Sequence, residues 1–419
     1  MNDAQAPRVA IDPQGNVAVI WNQLEAAGSQ FDVGAALRTA AGDWSSPGFA
    51  ESDNAYFGWA YSSGGGVGAL GGGAFVGTWR VFPGSPAISG YAFINRYTPG
   101  SGWGAPVIPL DEDRGTTLFE PQIVANGAGA GIATWFEVGA INRTDIVASL
   151  LVGEPAAPAV VVSRGAAAAI EYHAAAMNAS GDAVVVWAEV GATRRDVWVR
   201  RLAGGTWQTP TLVNTSTVGD ADTPHVAIND AGDVVVVWWQ PGANGASATW
   251  ARTFTVAGGW GSAAEIGPNL VNNTRVALDA AGNAIATWEA GGDTLRGNYS
   301  IRAARYEKGV GWGAPVILSA PDDEGGNALN PDLAMDAAGN AVVVWPTGQY
   351  PQSAASIWAN RYHAGIGWDC PHVIETDPQP TDRPRVAMNG TGRAVVAWQR
   401  QDVADGSDGL HDAWANVLE

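Results

Sequence analysis

The 419 residues carry 41 Asp and Glu against 22 Lys and Arg, a net charge of −19. That balance argues against nucleic acid and anionic membrane surfaces, since a phosphate partner needs a basic face. It suits neutral or cationic ligands or divalent ions instead. A hydrophobic content of 46% supports a large core, and 55 Gly with 24 Pro in short clusters suit many tight turns. The one cysteine, Cys370, excludes an internal disulfide. No apolar run is long enough to cross a bilayer as a helix, so membrane insertion is not expected.

Taken in order, the chain is one pattern laid down eight times. Its markers are an Asp or Asn, a Gly three residues later and a Trp six residues after that Gly. The Gly and Trp pairs are Gly15 and Trp21, Gly73 and Trp79, Gly129 and Trp135, Gly181 and Trp187, Gly232 and Trp238, Gly282 and Trp288, Gly339 and Trp345, and Gly392 and Trp398. The polar marker is Asp12, Asn126, Asn178, Asn229, Asp279, Asp336 or Asn389, and only the second copy replaces it, with Leu70. Each copy reads as four short strands, A to D. An Asx side chain and a left-handed Gly make the turn between A and B. Too few carboxylates alternate there for a calcium loop.

Four-stranded units with strand A innermost make a β-propeller, so the reading is all-β, a single domain 1–419 with eight blades at about 7–50, 64–110, 120–163, 172–213, 223–266, 273–318, 330–375 and 383–419. A solenoid is the alternative. Of the 20 Trp, 18 fall at equivalent places: eight close strand B, six open strand D and four lie in strand C. Packing between neighbouring sheets explains them better than sugar stacking. The eighth unit stops after strand C. Either residues 1–6 pair beside that strand or the last blade has three strands.

The wording Ile357-Trp358-Ala359-Asn360-Arg361-Tyr362 followed by Gly367-Trp368 resembles a group of largely uncharacterised extracytoplasmic repeat proteins of bacteria. More distantly, Gly205-Thr206-Trp207 is similar to the turn joining the third and fourth strands of sialidase-like (Asp-box) propellers. The resemblance implies a propeller fold and an extracytoplasmic, bacterial setting, with a leader lying outside this chain, whose abrupt start and finish read as trimmed edges. Sialidase chemistry is not implied, because the Ser and Asp of the Asp-box, the acid, the Tyr–Glu pair and the Arg-Ile-Pro motif have no match.

Length varies in the B–C and D–A loops, which marks the end bearing them as the binding face, for a glycan or a protein partner, with the chain a monomer. Three features are expected there. The residue four before the turn Asx, where strand A begins, reads Arg8, Gly66, Gln122, Ala174, His225, Arg275, Asp332 and Arg385, with His173 beside Ala174. This is an anion or carboxylate pocket, or a channel lined by solvated polar groups. Tyr56, Phe57, Trp59 and Tyr61 cluster in one loop as a sugar platform, or pack on one another. Asp402, Asp405, Asp408 and Asp412 offer four carboxylates for calcium, or are simply solvated.

Catalytic signals are sparse. Glu137 and Glu189 stand two residues after a strand B Trp and would serve as an acid and base pair, or as polar strand ends. The five His have no metal-ligand spacing. The reading is therefore a non-enzymatic, carbohydrate-binding propeller, with a glycoside-active enzyme or a passive structural module as alternatives.

Overall fold

The computed structural model describes residues 4–24, 31–51, 65–81, 91–104, 108–109, 117–138, 144–152, 157–165, 169–268, 270–291, 299–319, 327–348, 356–375, 379–402 and 410–418. Its described residues contain strands and turns and no helix. They form eight antiparallel sheets, and the architecture is an eight-bladed β-propeller. The fourth sheet shows the plan: strand A is Ile170–Met177, B is Ala183–Val190, C is Arg195–Ala203, and D is the pair Thr206–Trp207 and Thr211–Leu212. Strand D is shorter and more broken than the sequence suggests. In the fourth, sixth and seventh sheets Pro210, Pro315 and Pro371 sit between the two pieces, where the ladder loses an N–H, while the fifth sheet breaks between Trp260 and Ala264 without a proline.

Of the residues 1–6 expected beside the last strand C, residues 1–3 lie outside the described residues. Ala4–Ile11 is strand A of the first sheet, paired with Val17–Leu24. The eighth sheet has three strands, Thr381–Met388, Ala394–Asp402 and Leu410–Leu418.

The chain divides into two compact units, one of residues 1–169 with 395–418, the other of residues 170–394. In each, the core lies between successive sheets. Strand B is mostly apolar because both of its faces are covered, and polar residues such as Thr78, Thr134 and Thr287 interrupt it. In the fifth sheet Val234, Val236 and Trp238 pack into one core with Val184, Val186 and Val213 of the fourth sheet. The alternate residues Val235 and Val237 pack into another with Trp288 and Ala286 of the sixth. In the first unit Trp79 and Phe93 join Ile20 and Val33 in the same way, and Trp135 joins Val76 and Ile94. The strand B Trp at 79, 135, 187, 238, 288 and 345 are all at most 1% exposed, which assigns them to packing.

The A–B turns are nearly identical. The side-chain oxygen of the marker residue accepts the backbone N–H four residues on, at 2.8 Å for Asn16 on Asp12, 2.9 Å for Asp182 on Asn178, 2.7 Å for Asn283 on Asp279 and 2.8 Å for Asn340 on Asp336. The turn Gly takes a left-handed conformation, as Gly339 does with φ of 90°. Successive turns also tie together, since Asn178 Nδ2 donates to Asn229 O and Asn229 Nδ2 donates to Asp279 O.

Candidate functional site: the opening of strand A

At the other end of strand A the backbone repeats a second device. The A–B register slips by one residue between Gln5 and Arg8, Phe119 and Gln122, Asp222 and His225, and Asn272 and Arg275. All six described non-glycine residues with positive φ lie at this bulge or its equivalent: Ala6 (51°), Glu120 (47°), Thr223 (46°), Asn273 (59°), Asn330 (47°) and Arg383 (54°). Five of them precede a proline, namely Pro7, Pro121, Pro224, Pro331 and Pro384. A left-handed L-residue costs about 1–2 kcal/mol, and bulges re-aim side chains beside functional sites. The residue two further on is the one that the sequence pattern marks as leading strand A.

In the second unit His225, Arg275 and Asp332 each reach across to the next strand A. Val276 N–H donates to His225 Nδ1 at 3.3 Å. Arg275 Nε lies 3.3 Å from Asp332 Oδ1, and Val386 N–H donates to Asp332 Oδ2 at 2.9 Å. Arg275 Nη1 donates to Thr274 O and Arg385 Nη1 to Pro384 O, both at 2.9 Å. His225, Arg275, Asp332 and Arg385 are all half-buried. One carboxylate thus stands among two guanidinium groups that repel each other. Burial lowers the Arg385 guanidinium from its usual value, Asp332 pulling it up and Arg275 down again. Burial, then Arg275, hold the His225 imidazole down to about 3, with Asp332 opposing. It is therefore neutral at physiological pH, with Nδ1 as acceptor and Nε2 carrying the proton.

Glu289, which the sequence pattern does not single out, lies beside this row. Its Oε2 accepts Asn330 N–H at 3.1 Å and stands 3.4 Å from Asn273 Nδ2, which also donates to Asn330 Oδ1 at 2.7 Å. Glu289 is 5% exposed, and burial raises its carboxyl above the usual range, the two hydrogen bonds opposing. The cue in the sequence was the Asx at the bulge positions, Asn273 and Asn330. Also unmarked is Arg195, which pairs with Glu171 at 3.0 Å and with the buried Asp222.

The other leading residues are placed differently. In the first unit Arg8 donates from Nε to Gly65 O at 3.0 Å and from Nη1 to the carbonyls of Ala6 and Pro7. Gln122 is half-buried and pairs with Thr134 across the ladder. His173 is buried and pairs with Trp187. Glu189 accepts Trp187 Nε1–H at 3.2 Å, as Gln23 and Gln240 do for Trp21 and Trp238. Glu137 is buried opposite Asp145. Asp412 pairs with Arg400 at 3.1 Å, while Asp405 and Asp408 lie outside the described residues, as do the side chain of Asp402 and the aromatic cluster Tyr56, Phe57, Trp59 and Tyr61.

No protein-family model matches the chain, and no curated protein does. Solved structures do. The BP39L lectin from Burkholderia pseudomallei is 13% identical with a TM-score of 0.51, over 90% of this chain and 100% of the lectin. An ulvan lyase of a polysaccharide lyase family is 13% identical with a TM-score of 0.50, over 100% of this chain and 96% of the lyase. A Hadza microbial sialidase is 11% identical over 74% of this chain and 71% of its own, at a TM-score of 0.40 that carries no weight. At these identities the likeness establishes the fold alone.

Proposed function

We propose that this protein is a non-enzymatic glycan-binding propeller and that the row His225, Arg275, Asp332 and Arg385 holds an acidic sugar. The observation that carries the reading is the gathering of cations at that point: Arg275 lies against Asp332, and the Arg385 guanidinium stands in the field of Arg275 and Arg383 as well as of Asp332 and Asp382, in a chain whose net charge is −19. A planar guanidinium engages a carboxylate or sulfate through paired N–H donors, each charge-assisted bond being worth about 1.5–3 kcal/mol. The neutral His225 adds an N–H for a sugar hydroxyl. The repeated bulge supports the same reading, since it keeps one backbone shape while the side chain it presents changes from sheet to sheet. Two propellers of this fold are a lectin and a lyase bound to a polymer of GlcA and Rha3S. The reading includes an extracytoplasmic location, where such polymers occur.

A glycan array spanning neutral, uronate-bearing and sulfated oligosaccharides tests it. Wild type should retain acidic glycans and Arg385→Gln should lose them by more than about tenfold. Retention of neutral glycans alone, or none by either protein, defeats the proposal.

A glycoside-active enzyme is the second reading, and Glu289 is what favours it. A buried carboxyl with a raised proton affinity is what a general acid needs near neutral pH. Turnover of a fluorogenic glycoside that disappears in Glu289→Gln would select this reading over the first.

A further inference from the structure

In the second unit the leading residues have a second row ahead of them. Two positions nearer the opening of strand A stand Tyr172, Thr223, Asn273, Asn330 and Arg383, in the fourth to eighth sheets. The last four are left-handed bulge residues, and Tyr172 directly follows the register slip of the fourth sheet. Hydrogen bonds join neighbouring sheets along this row, from Thr274 Oγ1 to Thr223 O at 2.9 Å and from Asn273 Nδ2 to Asn330 Oδ1 at 2.7 Å. At both of its ends the row faces solvent more than the one behind it. Tyr172 is 46% exposed against 8% for Ala174, and the Arg383 side chain is 54% exposed while Arg385 is half-buried.

Those two ends differ in chemistry. Among the described residues of this unit only Tyr172 and Tyr299 are exposed aromatics, every other ring being buried or half-buried. Tyr172 pairs with Ala188, and Ala174 two residues on packs into the core shared with Val226, so the phenol stands on the side of the fifth sheet. An exposed ring of this kind offers its face to the C–H bonds of a sugar. At the far end Arg383 Nε lies 3.7 Å from Asp382 Oδ2, between side chains 54% and 51% exposed. So open a pair is worth little, and the guanidinium keeps donors for another anion. Burial chiefly lowers the Arg385 guanidinium, and Arg275 and Arg383 add to the effect against Asp332 and Asp382, which places Arg383 in the field of the inner row.

We infer that the ligand of this site is a stretch of acidic polysaccharide rather than a lone acidic sugar, laid along the outer row with one ring on Tyr172 and a further acidic group on Arg383. The inference rests on the glycan reading above and deepens it. Successive sheets stand roughly 10 Å apart face to face, so one sugar cannot reach both Tyr172 in the fourth sheet and Arg383 in the eighth. Between them the exposed Asn330 offers its amide N–H groups to a ring hydroxyl. The half-buried Arg275 and Arg385 then take the acidic group of a middle sugar.

Titration calorimetry of the full chain with a size series of heparin oligosaccharides, disaccharide to octasaccharide, which carry both uronate and sulfate, tests this. Affinity should rise by about tenfold or more between the disaccharide and the hexasaccharide as the outer contacts come within reach. Tyr172→Ala should weaken the hexasaccharide by about tenfold, and Tyr172→Phe, which keeps the ring, should restore it. Arg383→Gln should also weaken the hexasaccharide and make its binding less sensitive to salt. Both side chains are exposed, so the melting curves of the variants should match wild type. Equal affinity along the series overturns the inference and leaves the acidic-sugar reading standing, as does a hexasaccharide bound equally by wild type, Tyr172→Ala and Arg383→Gln. Absence of binding by wild type to every member of the series overturns both.

Discussion

The two ends of strand A obey opposite rules. At the A–B turn the side chain is held constant, because an Asx oxygen takes the N–H four residues on and a left-handed Gly closes the loop. At the strand's opening the backbone is held constant instead: the same left-handed bulge presents Arg, Gln, His or Asp two residues later. The turn is constrained by its own hydrogen bonds and by the next turn, which leaves one solution for the side chain. The bulge is constrained by pairing register and proline, which fix direction and leave chemistry free. Constancy of side chain therefore marks structure here, and constancy of backbone under a changing side chain is the pattern on which the proposed site rests.

Substitutions sharpen the contrast. Gly339→Val should be the most damaging, lowering stability by about 3 kcal/mol in denaturant titration. It forces a β-branched residue to a φ of 90°, with the new Cβ 3.0 Å from Asp279 Oδ2. Asn229→Ala should cost about 2 kcal/mol, since it removes the acceptor for Asp233 N–H and the donor to Asp279 O from a buried position. At the bulge the sign reverses. Thr223→Gly should raise stability by about 1 kcal/mol, because a β-branched residue at a φ of 46° is relieved of strain. A loss there would break the comparison.

A pH dependence is also expected. His225 titrates near 3 when folded, against an ordinary value near 6.5. Below about 6.5 the unfolded chain binds the proton and the folded chain does not, so this residue's contribution is complete above that pH and falls away toward pH 3. His225→Gln should flatten the stability profile between those limits. A slope unchanged by the substitution would show that the imidazole is not held neutral.

Much of this was legible in the sequence. Gly and Trp markers at fixed spacing gave eight units, because each answers to one steric demand: a left-handed turn, or a buried indole between sheets. The leading residues were legible as a row too. What escaped was the bulge, since a one-residue slip depends on the partner strand and leaves the spacing of strand A unchanged. The prolines at 7, 121, 224, 331 and 384 were its trace. Glu289 escaped because it follows Trp288 by one residue, on a strand whose every position is buried, and only the neighbouring Asn273 and Asn330 give its carboxyl a role.

The most direct test is a calorimetric titration of a uronate-bearing oligosaccharide into wild type and into Arg275→Gln/Arg385→Gln, each checked for an unchanged melting curve, at low and high salt. Binding by wild type that weakens with salt and is abolished in the double variant is the predicted outcome. Equal binding by the two proteins, or binding indifferent to salt, would contradict the assignment of the anion to this row.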